Sequence, residues 1–495
     1  MLVDIEQSRL TVSKAVDQKK KSQFGQFFTP AKIARFMAGL FIQRTTSNCR
    51  LLDAGAGIGS LSSAFLERWG SGGFNFQCVE VNAFEVDDYL HPYLIQSLEE
   101  YRRYLNVEST IRHDDFIHTA VDSLSGSLFS ETLPKYTHAI LNPPYKKIQS
   151  NSAHRLALRR VGIETVNLYS AFVALALSLM ENHGQLVAIL PRSFCNGPYY
   201  RPFREYILER AAIMQIHLFS SRNKAFKDDD VLQENVIIML ERGARQGDVT
   251  ITTSTDDSFT DMETHKYPFD RIVFHEDPEC FIYVPTSPKL GVIERLSMIH
   301  CTLEDIGIKI STGPVVDFRL KKHLCDMPDE NTVPLLYPCH FKKHNIVWPN
   351  LRLNKPNAIR RNVETEKWLY PNGFYCIVRR FSSKEENRRI VASVVKPTNF
   401  PNAEVLGFEN HLNVFHQEKR GLSEELAHGL ATFLNTTAVD ESFRQFNGHT
   451  QVNATDLRRI KYPSKENLIG LGKWAMRCHE LTQSLIDEQL ESLGT

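Results

Sequence analysis

The nine cysteines form no C-x-x-C pair and lie scattered singly from Cys49 to Cys478. Zinc sites need thiolates at close spacing, and disulfide frameworks belong to short secreted chains with an even set, so neither is expected. Free thiols in a reducing cytoplasm fit this pattern, and no metal site is expected. Net charge is also missing, because 58 Lys and Arg balance 58 Asp and Glu. The field of the whole molecule then favours no polyanion, and any basic surface must be local. No apolar run is long enough for a membrane. The longest, LYSAFVALALSLM at 168–180, falls short of the roughly 20 residues a spanning helix needs and reads as a buried helix. The opening MLVDIEQSRLTVSKAVDQKKKSQ lacks the apolar centre of a secretory signal. Internal repeats and low-complexity tracts are absent. What the chain does have is 495 residues, 42% of them apolar, enough for two or three domains with real cores.

Residues 1–23 are polar, basic at the end, and read as a frayed helix or an arm. From about 24 to 242, short apolar runs alternate with helical stretches: CRLLDAG, FQCVEV, STIRHDDF, YTHAILNPPY, GQLVAILP, IMQIHLF and NVIIML as strand-like pieces, with SLSSAFLERW, FEVDDYLHPYLIQSLEEYRRYL and PYYRPFREYILERA as helices. This alternation predicts a parallel α/β sheet covered on both faces. At about 243 the character changes to the Thr- and Asp-rich GARQGDVTITTSTDDSFTDMETHKYPFD, a linker or a peripheral hairpin. A loop-rich mixed region follows, and Leu/Ile spacing predicts one closing helix over 464–493. The expected domains are 1–245 and 246–495.

Chemistry enters with LLDAGAGIGSL at 51–61. An apolar strand runs into D-x-G-x-G-x-G, where glycines let the backbone turn tightly and approach a ligand. The pattern differs from the dinucleotide fingerprint G-x-G-x-x-G, because an acid precedes the glycines. Asp53 at the strand tip suits an ammonium group and would repel a pyrophosphate. Glu80 in the next strand is expected to bind ribose hydroxyls. Asp115 and Phe116 in HDDF suit an adenine amino group and an adenine ring. Ammonium, ribose and adenine together describe S-adenosyl-L-methionine. The bland alternative is an ordinary βα turn with solvated carboxylates.

The segment LNPPYKK at 141–147 ends an apolar run on a rigid elbow that neither a helix nor a central strand accommodates. At the carboxyl end of a strand it lies where open α/β sheets bind ligands. The Asn142 side-chain oxygen and the Pro143 carbonyl offer two acceptors to one amino group, and Tyr145 offers a face on which a base stacks. Holding an aromatic amine in this way is catalysis by position and fixed polarity, with no strong base required.

The order of these segments resembles the gamma class of N6-adenine-specific DNA methyltransferases of type II restriction–modification systems. FGQFFTP at 24–30, LLDAGAGIG, Glu80, DDF, NPPY, GQLVAILPRSF and KAFKDDDVLQENVIIML follow the class's segments over roughly residues 20–242. The resemblance implies a Rossmann-like S-adenosylmethionine-dependent methyltransferase sheet followed by a C-terminal mixed α/β DNA target-recognition domain. It implies that Thr29, Asp53, Ala54, Gly55, Glu80, Asp115 and Pro144 line the cofactor site, beside Gly57 and Phe116 from the reading above. Asn142 and Pro143 would hold the target amine, with Tyr145 and Phe226 sandwiching a flipped base. Only 82 residues separate Gly59 from Leu141 (141 − 59), which leaves no room there for a DNA-reading domain and places it C-terminally. The implied partners are double-stranded DNA and a separately encoded restriction endonuclease acting on the same site.

In the C-terminal half, residues 340–396 hold thirteen Lys/Arg against four Asp/Glu, interleaved with aromatics. Lys and Arg contact phosphates, while Arg, Asn and Gln read base edges. Lys342, Lys343, Arg352, Arg379, Arg380 and Asn453 are the candidates for DNA contact, against the alternative of a solvated charged face. Other readings of the chain are a protein glutamine-N5 methyltransferase, an RNA adenine methyltransferase, and a DNA-binding module that has lost its chemistry.

Overall fold

The computed structural model describes residues 2–15, 28–44, 47–126, 132–219, 234–275, 277–285, 299–342, 345–350, 355–382, 386–447 and 450–492. The chain divides into two compact units, Met1–Pro288 and Lys289–Thr495. All nine cysteines are free thiols.

The first unit is built on a nine-stranded sheet. Its strands are β1 (Asn48–Ala54), β2 (Cys78–Phe84), β3 (Val107–Arg112), β4 (Tyr136–Leu141), β5 (Met180–Pro191), β6 (Ala211–Phe219), β7 (Asn235–Arg242), β8 (Val249–Ser254) and β9 (Glu263–Tyr267), in the order β3-β2-β1-β4-β5-β7-β6-β8-β9. The helices are α1 (Leu2–Ala15), α2 (Ala31–Leu40), α3 (Ser60–Arg68), α4 (His91–Arg102), α5 (Phe116–Ser125), α6 (Ala153–Arg160), α7 (Leu168–Leu179) and α8 (Arg201–Arg210). Strands β1 to β5 run parallel. The pleat sends alternate side chains to opposite faces. Leu186, Ala188 and Leu190 join the core beneath α5 and α7, while Val187 and Ile189 join the one beneath α2 and α3. Such two-sided burial is why these strands read as unbroken apolar runs.

Three sequence expectations change. The sheet is mixed, because β7 inserts antiparallel between β5 and β6; apolar content marks a doubly covered strand but not its direction. Helix α4 starts at His91, with Pro92 in its first turn, and not at Phe84, since proline fits the start of a helix and its interior poorly. Of the two readings for the Thr-rich stretch after 243 the hairpin holds, as β8–β9 at the sheet edge, and what changes is the domain boundary, because β8 pairs with β6. That pairing carries the first unit past residue 245, as far as Pro288.

The second unit is also mixed α/β. One sheet aligns Lys309–Thr312, Leu412–His416, Tyr375–Arg379 and Ala392–Val395, and a second has five short strands. The expected closing helix is two, Lys465–Arg477 and Gln483–Ser492, with Cys478 extended between them. The first of these packs on helix Glu424–Leu434 through glycines. A Cβ on Gly472 would lie 1.7 Å from the Glu425 carbonyl oxygen, so only glycine permits this approach.

Candidate cofactor and catalytic site

The carboxyl ends of β1, β2 and β4 and the start of α5 enclose a cavity of about 420 Å³, within the usual range for small-molecule sites. Its walls include Phe28, Gly55, Gly57, Phe84, Glu85, Asp115, Phe116, Asn142, Pro144, His154 and Phe172. The glycine turn leaves β1 with φ of 78° at Gly55 and 59° at Gly57, a left-handed conformation costly for any side-chain-bearing residue. The backbone amides of Gly55 and Ala56 donate to the Phe84 carbonyl, both at 2.9 Å, tying the turn to the tip of β2.

Glu85 is the acid at that tip. Its carboxylate is buried and accepts from the Gly57 amide at 2.8 Å and the Asp87 amide at 2.8 Å. Burial raises its pKa and these hydrogen bonds oppose the rise. Each carboxylate oxygen has a second lone pair, so Glu85 can still accept from a pair of hydroxyls. Glu80 does not hold this place. It sits four residues before the end of β2, opposite Arg50 and Glu108, and is not part of the cavity wall. The strand is longer than FQCVEV suggested; the signal for the right acid was the second Glu of VEVNAFEV, where the apolar run stops.

Asp53 is completely buried and faces the start of α3, where one oxygen accepts from the Ser62 amide at 3.2 Å and its hydroxyl at 2.6 Å. Burial, with a smaller contribution from the charge of Glu85, raises its pKa to about 7. It does not line the cavity, and neither does Ala54, the fully buried last residue of β1.

Asp115 caps α5 by accepting from the His118 amide at 3.1 Å, and its other oxygen meets Nε2 of His154 at 2.9 Å. Burial alone would raise the Asp115 pKa, but the hydrogen bonds from His154 and the His118 amide win and hold it low. Bonding to Asp115 in turn raises the pKa of His154. Phe116, buried, and Phe172 on α7 stand 5.1 Å apart by ring centroid at the cavity wall. His154 and Phe172 were missed in the sequence because they come from helices after the elbow, and only the fold brings them to the strand tips.

The elbow follows β4 directly. Asn142 Nδ2 donates to Thr29 Oγ1 at 2.9 Å, which fixes the amide plane. Thr29 is buried and lies outside the cavity wall; it acts through Asn142. Pro144 lines the cavity and Pro143 is buried behind it. The Tyr145 hydroxyl donates to the Ile189 carbonyl at 3.2 Å, and its ring meets Tyr169 edge-on at 6.0 Å. Tyr145 is outside this cavity's wall. Phe226 lies outside the described residues.

Only Arg379, Arg380 and Asn453 of the six DNA candidates have described side chains, and each of these has partners within the second unit. Lys343 and Arg352 lie outside the described residues, and Lys342 is described only as backbone in strand Phe341–Lys342. Arg379 is paired with Glu386 at 2.6 Å. Arg380 donates to the Asn410 carbonyl at 3.2 Å and to Gln451 at 3.4 Å. Asn453 caps helix Ala454–Arg459 in a reciprocal box with Asp456. Part of the local basic surplus is therefore structural: Arg389 is fully buried among Ser382, Asn447 and the Phe443 ring.

Comparison with known proteins decides the family. The chain is 53% identical over 496 residues to the type II methyltransferase M.BsuBI of Bacillus subtilis, covering 100% of this chain and 98% of the relative. It is 40% identical over 489 residues to the type II methyltransferase M.PstI of Providencia stuartii, covering 98% and 95%. The chain belongs to the type II methyltransferases. Residues 80–226 of this methyltransferase match the Eco57I restriction-modification methylase family, so it is a DNA methyltransferase of restriction–modification systems. Among solved structures, the type IIG restriction endonuclease BpuSI is 12% identical with a TM-score of 0.46, over 98% of this methyltransferase and 67% of that chain. Among the described residues, no helix is long and apolar enough to cross a membrane.

Proposed function

We propose that the protein transfers a methyl group from S-adenosylmethionine to N6 of an adenine flipped out of double-stranded DNA. The observation that carries this reading is that Asn142 and Pro144 of the elbow share one cavity with Gly55, Glu85, Asp115 and Phe116. The donor set fits the cofactor part by part. Glu85 would take ribose hydroxyls, Asp115 would take the adenine amino group, and Phe116 and Phe172 would offer faces to its ring. Bound there, S-adenosylmethionine supplies an electrophilic methyl carried on a sulfonium.

The remaining work belongs to the chain. Nδ2 of Asn142 is engaged by Thr29, and Oδ1 is the amide atom that can accept from an amine. Oδ1 and the Pro143 carbonyl take the two amine hydrogens and favour a pyramidal nitrogen with its lone pair toward the cavity. Nitrogen gains the methyl carbon, sulfur keeps the electron pair, and the surplus proton leaves to solvent. Unstacking the base costs a few kcal/mol, and stacking on Tyr145, at roughly 1–3 kcal/mol, offsets part of it. The first unit is the catalytic domain, and the second, Lys289–Thr495, reads the DNA target. The modification protects that target from a separately encoded endonuclease. An RNA adenine or a protein glutamine presents a similar amine, but likeness to type II methyltransferases over the whole chain favours DNA.

Mapping modified positions in DNA from cells expressing the protein tests the reading. It expects 6-methyladenine at one short sequence, and methylated cytosine would overturn it. Asn142→Ala should lower turnover by about 10²- to 10³-fold while cofactor affinity changes little; retained turnover would remove the elbow from the mechanism.

A further inference from the structure

In the second unit, four segments distant in sequence are joined by backbone hydrogen bonds. The Gly313 amide donates to Leu412 at 2.8 Å, Asn410 to Val315 at 2.9 Å, Arg380 to His411 at 2.8 Å and Val452 to Arg380 at 2.7 Å. On this junction two large aromatic rings are left in solvent, Phe318 at 64% exposure and Phe381 at 41%. Large apolar rings exposed on segments held together in this way mark a contact surface. The Arg319 guanidinium lies 5.4 Å from the Phe318 ring centroid. The His411 ring stands 4.9 Å from that of Phe381.

Below the rings is a buried acid. Glu409 is 0% exposed, and its carboxylate accepts from both the backbone amide and ring Nδ1 of His411. Burial raises the Glu409 pKa, against the hydrogen bonds from His411. Burying a carboxylate is costly unless it is bonded, and here what it holds is one imidazole. A partner on Nδ1 fixes ring orientation and tautomer and leaves Nε2 as the second hydrogen-bonding atom. The His411 side chain is 41% exposed. A fixed imidazole beside solvent-facing phenyl rings suits base edges and thymine methyls in a DNA groove, with Arg319 placed for a phosphate.

We propose that His411, oriented by Glu409 and beside the Phe381 ring, reads a base edge of the recognition sequence in double-stranded DNA, with the exposed Phe318 on the neighbouring segment as a second contact. The proposal rests on the second unit being the DNA reader. Glu409 is a positioning residue acting through His411.

The test compares full-length wild type with His411→Ala, Phe318→Ala, Glu409→Gln and Glu409→Ala. It measures kcat/KM on a cognate duplex and on duplexes with single substitutions, sequences the modified sites, and titrates S-adenosylmethionine. His411→Ala should lose about 10- to 100-fold on the cognate duplex and accept other bases at one position, with cofactor affinity unchanged. Phe318→Ala, whose ring is mostly in solvent, leaves the fold intact and should lose roughly 10-fold. Glu409→Gln keeps an acceptor for Nδ1 and should retain more selectivity than Glu409→Ala. If His411→Ala and Phe318→Ala keep the same sites and rate while wild type modifies DNA, this surface is not the reader and the methyltransferase reading stands. If wild type modifies no DNA, both fall together.

Discussion

The tips of β1 and β2 lie side by side, and each carries a buried acid next to the same glycine turn, yet the two acids serve opposite ends. Asp53 faces inward and spends one oxygen on the first turn of α3 through Ser62. Glu85 faces the cavity and holds the turn by the Gly57 amide. Position at the end of a parallel strand does not make a carboxylate a ligand. Which backbone amides it meets, and whether its remaining lone pairs open on a cavity, decides that.

Removing each acid should separate stability from binding. The largest effect is expected from Asp53→Asn, read as stability against pH. The folded pKa of Asp53 is raised to about 7, so the folded state binds the proton more tightly than the unfolded chain. Stability from this group is full below the unfolded value near 4 and is lost as pH rises through about 7. Relative to Asp53→Asn, wild type should lose about 2–4 kcal/mol over that window, measured by denaturant unfolding; parallel curves would break the contrast. Next is Glu85→Ala, which should weaken S-adenosylmethionine binding by about 1.5–3 kcal/mol, the range for hydrogen bonds to a charged group. Calorimetric titration checks it, and unchanged affinity would remove Glu85 from the ribose site. The smallest effect is expected for Glu80→Gln, which should alter cofactor binding and stability by less than about 0.5 kcal/mol. A larger loss of affinity would restore Glu80 as the ligand acid.

The same contrast explains what the sequence could tell. The glycine turn, the capping acid before α5 and the elbow after β4 are local: each is written in a few consecutive residues whose backbone options are narrow. They were legible, as was the alternation of strands and helices. Glu85 was displaced by Glu80 because the polar Asn82 reads as the end of the apolar run, although the strand continues through it to Phe84. The direction of β7 was hidden because burial on both faces leaves the same apolar signature in either sense. In the second unit, arginine spacing gave no clue to partners. Arg379 and Arg389 meet an acid and an amide supplied by other segments, and His411 acquires its setting only when four loops join.

One contact of helix α1 bears on the elbow after β4. Helix α1 offers the Glu6 carboxylate to the Ala31 amide at 2.9 Å, at the first residue of α2. Two residues earlier stands Thr29, whose hydroxyl anchors Asn142. The Asn142 amide is thus tethered, through two hydrogen bonds and a short stretch of backbone, to the amino-terminal helix. Unseating that helix should loosen the Asn142 anchor and, because Ile5 and Val12 pack with Phe28 and Leu90, the cavity wall as well.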